Sequence, residues 1–293
     1  MLQETSRWNN VIAEGAKRLE LSGISDAQAN AEYLAMHVLG LWKRGELHNF
    51  LPKILTKEQS VLFGELIARR LRNEPLQHII GETEFFGLRL LASEAALIPR
   101  PDTEILVEEA INEVTLLSGK QIKILDIGTG SGAIALAIAS KLPPANILGI
   151  DISPEAIDLA NENKKRLRAE NVSFDIRNIF HGDLSEFFAS FDLIVSNPPY
   201  ISLQEFELLE SEVRDFDPRI ALTDEGDGLS FYRRIAEIAP KLLKNQGKVL
   251  VEVGYNSMTQ VENIFTNAGL EILRKVKDLQ GIERVIVAKL CVF

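Results

Sequence analysis

The sequence predicts an α/β fold: a mainly parallel, doubly wound sheet with an antiparallel pair at one edge, preceded by a small helical bundle and a hairpin linker. Three observations carry this. From Ile122 onward, short apolar runs alternate with stretches of helical period, as strand–helix units require. The last two strand-like runs, 270–276 and 283–289, have no helix between them, so they pair antiparallel. The first 75 residues carry only helical spacing and helix-capping signals.

Composition bounds the rest. A chain of 293 residues is long enough for two domains. Apolar residues make up 46% and charged residues 25%, which excludes a disordered or fibrous chain. Lys plus Arg number 32 against 42 Asp plus Glu, a formal net charge of −10. Binding to nucleic acid by counterion release needs a surplus of cations, so the balance argues against it, a local basic patch aside. The longest uninterrupted apolar run, Ala133 to Ala139, falls far short of a membrane span. One cysteine, Cys291, cannot form an internal disulfide and fits a reducing compartment as an inert residue. The start, MLQETSRWNN, lacks the basic-then-apolar pattern of a secretory signal. A cytoplasmic protein of enzyme size is expected.

The elements follow in order. Ser25-Asp26-Ala27-Gln28 and Thr56-Lys57-Glu58-Gln59 match the capping box, in which a hydroxyl and a glutamine side chain satisfy free backbone N–H groups. Behind the first, Ala31, Leu34, Ala35, Val38 and Leu39 form a helical stripe; behind the second, Val61, Leu62, Leu66 and Ile67 do so. Residues 1–75 are therefore read as a small helical bundle, and 76–97 as a linker holding a hairpin that turns at Gly87. Residues 98–293 are read as the α/β domain. It opens with a proline-marked loop and a helix from Pro101 to about Leu117. Strands are expected at 122–127, 147–150, 172–176, 193–196 and 248–253, with helices at 133–141, 154–168, 230–243 and 258–268.

Strand 122–127 runs into Gly128-Thr129-Gly130-Ser131-Gly132 and then a helix start. Glycines there let the backbone turn tightly and approach a ligand closely. The helix N-terminus adds unpaired N–H groups. Asp151 ends the next strand, where a carboxylate accepts both hydroxyls of a ribose; it could instead cap the helix that begins near Pro154. Gly128, Gly130 and Ala133 also satisfy the dinucleotide fingerprint, so NAD and S-adenosylmethionine both remain open at this point.

A further apolar strand ends in Asn197-Pro198-Pro199-Tyr200. Two prolines stiffen the loop and remove two N–H donors. What remains is a pair of acceptors, the Asn197 side-chain oxygen and the Pro198 carbonyl, beside an aromatic plane. That set suits a planar NH₂ group, and it lies at the carboxyl end of a strand, where ligands bind in open α/β sheets.

These residues amount to a resemblance. IPRPDTE (98–104), LDIGTGSGAIALA (125–137), GIDIS (149–153), HGDL (181–184) and SNPPYI (196–201) resemble the release-factor glutamine methyltransferase family, PrmC/HemK. VRDFDPRIAL (213–222), DGLSFYRRI (227–235), VLVEVG (249–254) and LQGIERVIVAK (279–289) extend the likeness over nearly the whole chain. Asn-Pro-Pro-Tyr alone is shared with N6-adenine methyltransferases; the Pro-Arg-Pro and Asp-Pro-Arg segments make the match specific. Three positions depart from the usual pattern: His78 for Tyr, Asp217 for Glu, and Leu184 where many members carry an aromatic.

The resemblance implies a Rossmann-like class I S-adenosylmethionine methyltransferase sheet, with 98–293 as the catalytic domain and 1–75 as a substrate-recognition domain. It implies methyl transfer from S-adenosylmethionine to the glutamine N5 of the Gly-Gly-Gln motif in class I peptide-chain release factors, leaving S-adenosylhomocysteine. Gly128, Thr129, Gly130, Ser131 and Gly132 would wrap the methionine and ribose. Asp151 would hold the ribose hydroxyls, Ile152 would lie on the adenine, and Asp183 with Leu184 would border its edge. Asn197 and Pro198 would accept the amide protons, Tyr200 would stack on the amide, and Pro199 would complete the substrate loop. Arg100, Pro101 and Thr103 would roof the cofactor, a surface salt bridge being the plainer reading of Arg100. For Asp215, Asp217 and Arg219, loop packing is favoured over a role in the acceptor channel.

The four histidines, His37, His48, His78 and His181, are scattered without metal-ligand spacing, so no metal is expected. No Ser–His or Cys–His arrangement suggests covalent catalysis. The competing readings are glutamine methylation of a ribosomal protein, N6-adenine methylation, a non-catalytic binding module and an NAD oxidoreductase. The acidic balance speaks against nucleic acid, and intact glycines and Asn197 against lost chemistry. A bacterial monomer with a protein substrate, neither nucleic acid nor membrane being a partner, is expected.

Overall fold

A computed structural model describes residues 6–115 and 121–290. The chain forms two units, Met1–Gly81 with Glu210–Phe216, and Glu82–Leu209 with Asp217–Phe293. The division falls at Gly81, so residues 76–81, read in advance as linker, belong to the first unit, where 76–80 form a short helix.

The first unit holds α1 (Trp8–Leu21), α2 (Ala27–Leu39), the one-turn α3 (Arg44–Leu47), α4 (Lys57–Arg70) and α5 (Leu76–Ile80). Its core gathers Trp8, Leu19, Leu34, Phe63 and Ile67, with Trp8 edge-on to Phe63. The Thr56–Gln59 capping box forms: Gln59 N–H donates to Thr56 Oγ1, and Thr56 N–H to Gln59 Oε1. The Ser25 box does not. Asp26 takes the N-cap position with φ of 50°, and the Gln28 amide donates to Glu32 instead. The buried face of α4 is Phe63, Leu66, Ile67 and Arg70, whereas Val61 and Leu62 are exposed. Residues 210–216 join this unit through Arg70, which donates to Asn30, to the Glu74 carbonyl and to Glu212.

The second unit begins with a hairpin, β1 (Glu82–Phe85) and β2 (Leu88–Leu91), whose two turn residues Phe86 and Gly87 both have positive φ. Such a turn matches the strand twist. A 3-10 turn (Pro101–Thr103) then leads into α6 (Glu104–Thr115); the expected end near Leu117 lies outside the described residues, as does Cys291. The sheet elements are β3 (Lys123–Ile127), α7 (Ala133–Lys141), β4 (Asn146–Asp151), α8 (Pro154–Leu167), β5 (Val172–Ile176) and β6 (Phe191–Ser196). One-turn helices α9 (Leu203–Phe206), α10 (Ser211–Arg214, in the first unit) and α11 (Arg219–Leu222) follow. The chain ends with α12 (Ser230–Leu242), β7 (Leu243–Glu252), α13 (Met258–Asn267), β8 (Leu270–Lys277) and β9 (Glu283–Leu290).

The seven-stranded order is β5-β4-β3-β6-β7-β9-β8, parallel through β7 and antiparallel in its β7–β9–β8 edge. Strand β7 starts five residues earlier than expected. Leu243 pairs with Phe191 and is buried, but the polar run 244–247 hides that start from an apolar pattern. One core cluster holds α6, α7 and the hairpin, the other α12 and α13. Helix α7 is apolar on every side, and Ala133 through Ala139 are all buried. Strand order reverses between β3 and β6, so the loops leaving their carboxyl ends border one crevice.

Candidate active site

The crevice is a cleft of about 1140 Å³, its open mouth included. Gly128, Thr129, Gly130 and Ser131 form one wall, Asp151 and Ile152 the next, and Asn197, Pro198 and Pro199 the wall after β6. Arg100 and Thr103 enter from the turn before α6. Ser196 Oγ donates to the Ile127 carbonyl at 2.7 Å, tying the ends of β3 and β6 together beneath the two loops.

The glycine loop is held from below. Gly128 N–H and Thr129 N–H both donate to the Ile150 carbonyl, and Thr129 Oγ1 donates to Asp126 Oδ2 at 2.6 Å. Asp126 is fully buried, and burial raises its carboxyl to about 7 despite the Thr129 bond. Gly128 and Gly130 have positive φ. Gly132 does not line the cleft: a Cβ on it would stand 2.7 Å from the Phe174 ring, so its glycine is a packing requirement at the head of α7.

Asp151 Oδ2 accepts the Gly130 N–H at 2.9 Å and Oδ1 accepts the Ser153 N–H at 3.0 Å. A carboxylate offers about four acceptor sites, so two remain for a vicinal diol. The helix-cap alternative goes to Ser153, whose Oγ accepts the Ala156 N–H.

Asn197 Nδ2 donates to Thr103 Oγ1 at 3.1 Å. Behind them stands Glu252, at the end of β7 and only 4% exposed. Burial raises its carboxyl to about 7, a rise that the neighbouring Thr103 and Asn197 side chains and Arg284 oppose. With its nitrogen turned toward Thr103, the Asn197 amide keeps Oδ1 as an acceptor, and the residue lines the cleft. Tyr200 is not on the cleft wall. Its ring packs on Gly254, where a Cβ would lie 2.7 Å from Cδ2, and burial pushes its hydroxyl up to about 12.

Other expected residues lie elsewhere. Asp183 is exposed and accepts the Ser185 N–H, Leu184 is in the core under α12, and neither lines the cleft. Their place is taken by Arg177, Asn178, Ile179 and Phe180. Arg177 N–H donates to the Asp151 carbonyl, and Asn178 accepts the Phe180 and Gly182 N–H groups, which turns this stretch alongside Asp151. Phe180 stands edge-on to Phe231, ring centroids 5.1 Å apart. No motif in the sequence marks these residues; only the path after β5 brings them in. Pro101 opens the 3-10 turn, exposed and off the wall. Arg100 pairs with buried Asp217 at 2.8 Å. Arg219 pairs with Glu225, and Asp215 with Arg214 in the first unit.

Among the described residues there is no group of three or more His, Cys, Asp or Glu side chains fit to hold a metal, and no helix long and apolar enough to cross a membrane.

Two family models match the chain: a methyltransferase domain over residues 118–281 and a PrmC N-terminal domain over 10–81. A release factor glutamine methyltransferase of Fusobacterium nucleatum subsp. nucleatum is 41% identical over 96% of this chain and 78% of its own length. Another of that name from Thermodesulfovibrio yellowstonii is 40% identical over 88% of this chain and 90% of its own. Among solved structures, a methyltransferase from Pyrococcus furiosus aligns with a TM-score of 0.52 at 19% identity, over 77% of this chain and 98% of that one. That likeness concerns the fold.

Proposed function

The chain belongs to the release factor glutamine methyltransferase family, and we propose that it methylates the Gly-Gly-Gln glutamine of class I release factors at N5. The observation that carries this reading is the Asn197 amide, its nitrogen held by Thr103, on a cleft shared with Asp151 and the glycine loop.

The residues present fit S-adenosylmethionine. Asp151 keeps acceptor sites for two ribose hydroxyls, Gly128 and Gly130 allow close backbone approach, and Ile152, Ile179 and Phe180 offer apolar surface for a base. When bound, S-adenosylmethionine supplies a methyl group on a sulfonium, already electrophilic. The difficulty lies in the acceptor, because an amide nitrogen delocalises its lone pair into the carbonyl. Asn197 Oδ1 and the Pro198 carbonyl take the two N–H protons of the glutamine amide. Both acceptors draw on those protons, raise electron density on nitrogen and fix its lone pair in line with the leaving bond. The rate gain is then orientation, plus dipoles already aimed at the positive charge that develops on nitrogen. The surplus proton leaves to water. Tyr200 packs behind the loop on Gly254, a place from which it stiffens Asn197-Pro198-Pro199.

The test is transfer of labelled methyl from S-adenosylmethionine to purified release factor, the same factor with its motif Gln changed to Ala, ribosomal protein and DNA. Label on the unaltered release factor alone is expected. Equal label on the Gln→Ala factor, or label on DNA only, refutes the reading.

A further inference from the structure

We propose that Glu252 is a positioning residue that, with Thr103, takes up the N–H donors of Asn197 and so holds Asn197 Oδ1 toward the glutamine amide. This deepens the methyl-transfer reading above and rests on it. An asparagine amide is nearly symmetric in shape, so its orientation is set by what surrounds it. Thr103 cannot set it alone. A hydroxyl both donates and accepts, and it would serve Asn197 equally well if the amide were turned over, donating to Oδ1 instead of accepting from Nδ2. An ionised carboxylate only accepts. Glu252 follows Val251, the register partner of Ser196, and so stands beside Asn197; as a carboxylate there it accepts from the Thr103 hydroxyl, leaves the Thr103 lone pair for Asn197 Nδ2, and rejects the turned amide. A turned Asn197 would set its own NH₂ against that of the glutamine, donor against donor.

The environment of Glu252 supports a role other than stability. Its carboxyl is buried at the end of a central strand, and its Oε2 has no hydrogen-bond partner among the described residues. A buried carboxylate left half satisfied opposes folding, and such groups call for a reason. The charged and titratable groups around it are Arg284 on β9, Asp102 in the turn before α6, Tyr200 after β6, and Tyr232 on α12, whose hydroxyl donates to the Glu252 backbone carbonyl. Arg284 is engaged by Asp278 at 3.0 Å and Asp102 at 3.4 Å, so among the described residues no dedicated cation neutralises Glu252.

The test is Glu252→Gln, which keeps size and one acceptor oxygen but also offers donors, and so cannot reject the turned amide. We expect kcat at pH 8 to fall about tenfold or more while KM for S-adenosylmethionine stays within about twofold. The melting temperature should hold or rise, because a buried charge is gone. Thr103→Val should cost a similar factor, and the double variant should not multiply the two losses. A second readout needs no turnover: the Asn197 side-chain NH₂ signal in ¹⁵N-asparagine protein, assigned with Asn197→Asp, should exchange with solvent about tenfold faster in Glu252→Gln. If wild type leaves release factor unlabelled, the functional reading fails while this signal still decides the role of Glu252. Unchanged exchange with kcat within twofold of wild type overturns the proposal. So does a kcat loss matched by a lowered melting temperature, which would make Glu252 a structural residue.

Discussion

Changing Asp151 to Ala should cost most of the cofactor affinity and little of the fold. Asp151 spends one acceptor site per oxygen on its own backbone, at Gly130 and Ser153. The remaining sites serve two ribose hydroxyls. Hydrogen bonds to a charged group contribute about 1.5–3 kcal/mol each, so losing two costs about 3–6 kcal/mol. At about 1.4 kcal/mol per tenfold, that is roughly 10²–10⁴ in Kd. Asp151→Asn should fall between, near 10–100-fold, because its NH₂ must face either the Gly130 or the Ser153 N–H. The assay is titration calorimetry with S-adenosylmethionine and S-adenosylhomocysteine, beside thermal melts. Ser153→Ala is the control: it removes the α8 cap, at about 1 kcal/mol of stability, and should leave Kd alone. Binding by Asp151→Ala within threefold of wild type would refute the ribose assignment.

Asn197→Ala should lower kcat by about 10²–10³, the usual effect of deleting one preorganised group at a developing charge, with calorimetric cofactor binding intact; near-normal turnover would remove Asn197 from the chemistry. Asp126 gives a pH signature. Its folded value, about 7, lies above its ordinary 3.8, so its contribution is full below pH 3.8 and lost as pH rises through 7. The difference corresponds to roughly 4 kcal/mol at most, and Asp126→Asn should flatten the decline of chemical-denaturation stability between pH 5 and 8; an unchanged slope would contradict it. Gly149→Ala would place a Cβ 2.6 Å from both Phe174 and Thr129 Oγ1, so a loss of about 1–3 kcal/mol is expected, read as a lower melting temperature. Gly228→Ala, where a Cβ overlaps the Tyr200 carbonyl and φ is +76°, should weaken methyl transfer as well as the fold; full activity would show that this packing does not set the Asn197 loop.

What could be read in advance was what the chain writes locally. The glycine loop, Asp151 and Asn-Pro-Pro-Tyr are each contiguous, and each sits at a strand end that an apolar run announces. The alternation of strands and helices has the same character, which is why β5 and α7 match their expected bounds. Features made by distant contacts stayed hidden. Glu252 closes a strand that reads as plain core, and it joins the site only because β7 lies beside β6. Residues 177–180 reach the cleft through hydrogen bonds to Asp151 and within their own turn. The return of 210–216 to the first unit depends on Arg70 meeting Glu212, residues 142 apart. Local signals also misled at the expected Ser25 box, where Asp26 takes the N-cap position and Gln28 donates to Glu32.

The buried carboxyls separate structure from site by a physical criterion. Glu113, 1% exposed on α6, faces Lys248 and Arg274. Burial pushes its carboxyl up, but those two cations outweigh that and hold it below the usual range. It is a buried charge with its compensation in place, and it lies away from the cleft. Asp126 and Glu252 are as deeply buried and have no paired cation among the described residues, and both are driven up to about 7. Each ends or nearly ends a strand that feeds the crevice, Asp126 beneath the glycine loop and Glu252 behind Asn197. A sequence selected for stability alone would fill such positions with apolar side chains. Uncompensated acids at these two strand ends are therefore better explained by the hydroxyls they direct, Thr129 under the cofactor loop and Thr103 beside the acceptor amide. By this criterion an apolar substitution at Glu113 should disturb folding, whereas Asp126→Asn and Glu252→Gln should leave the fold intact and alter the site.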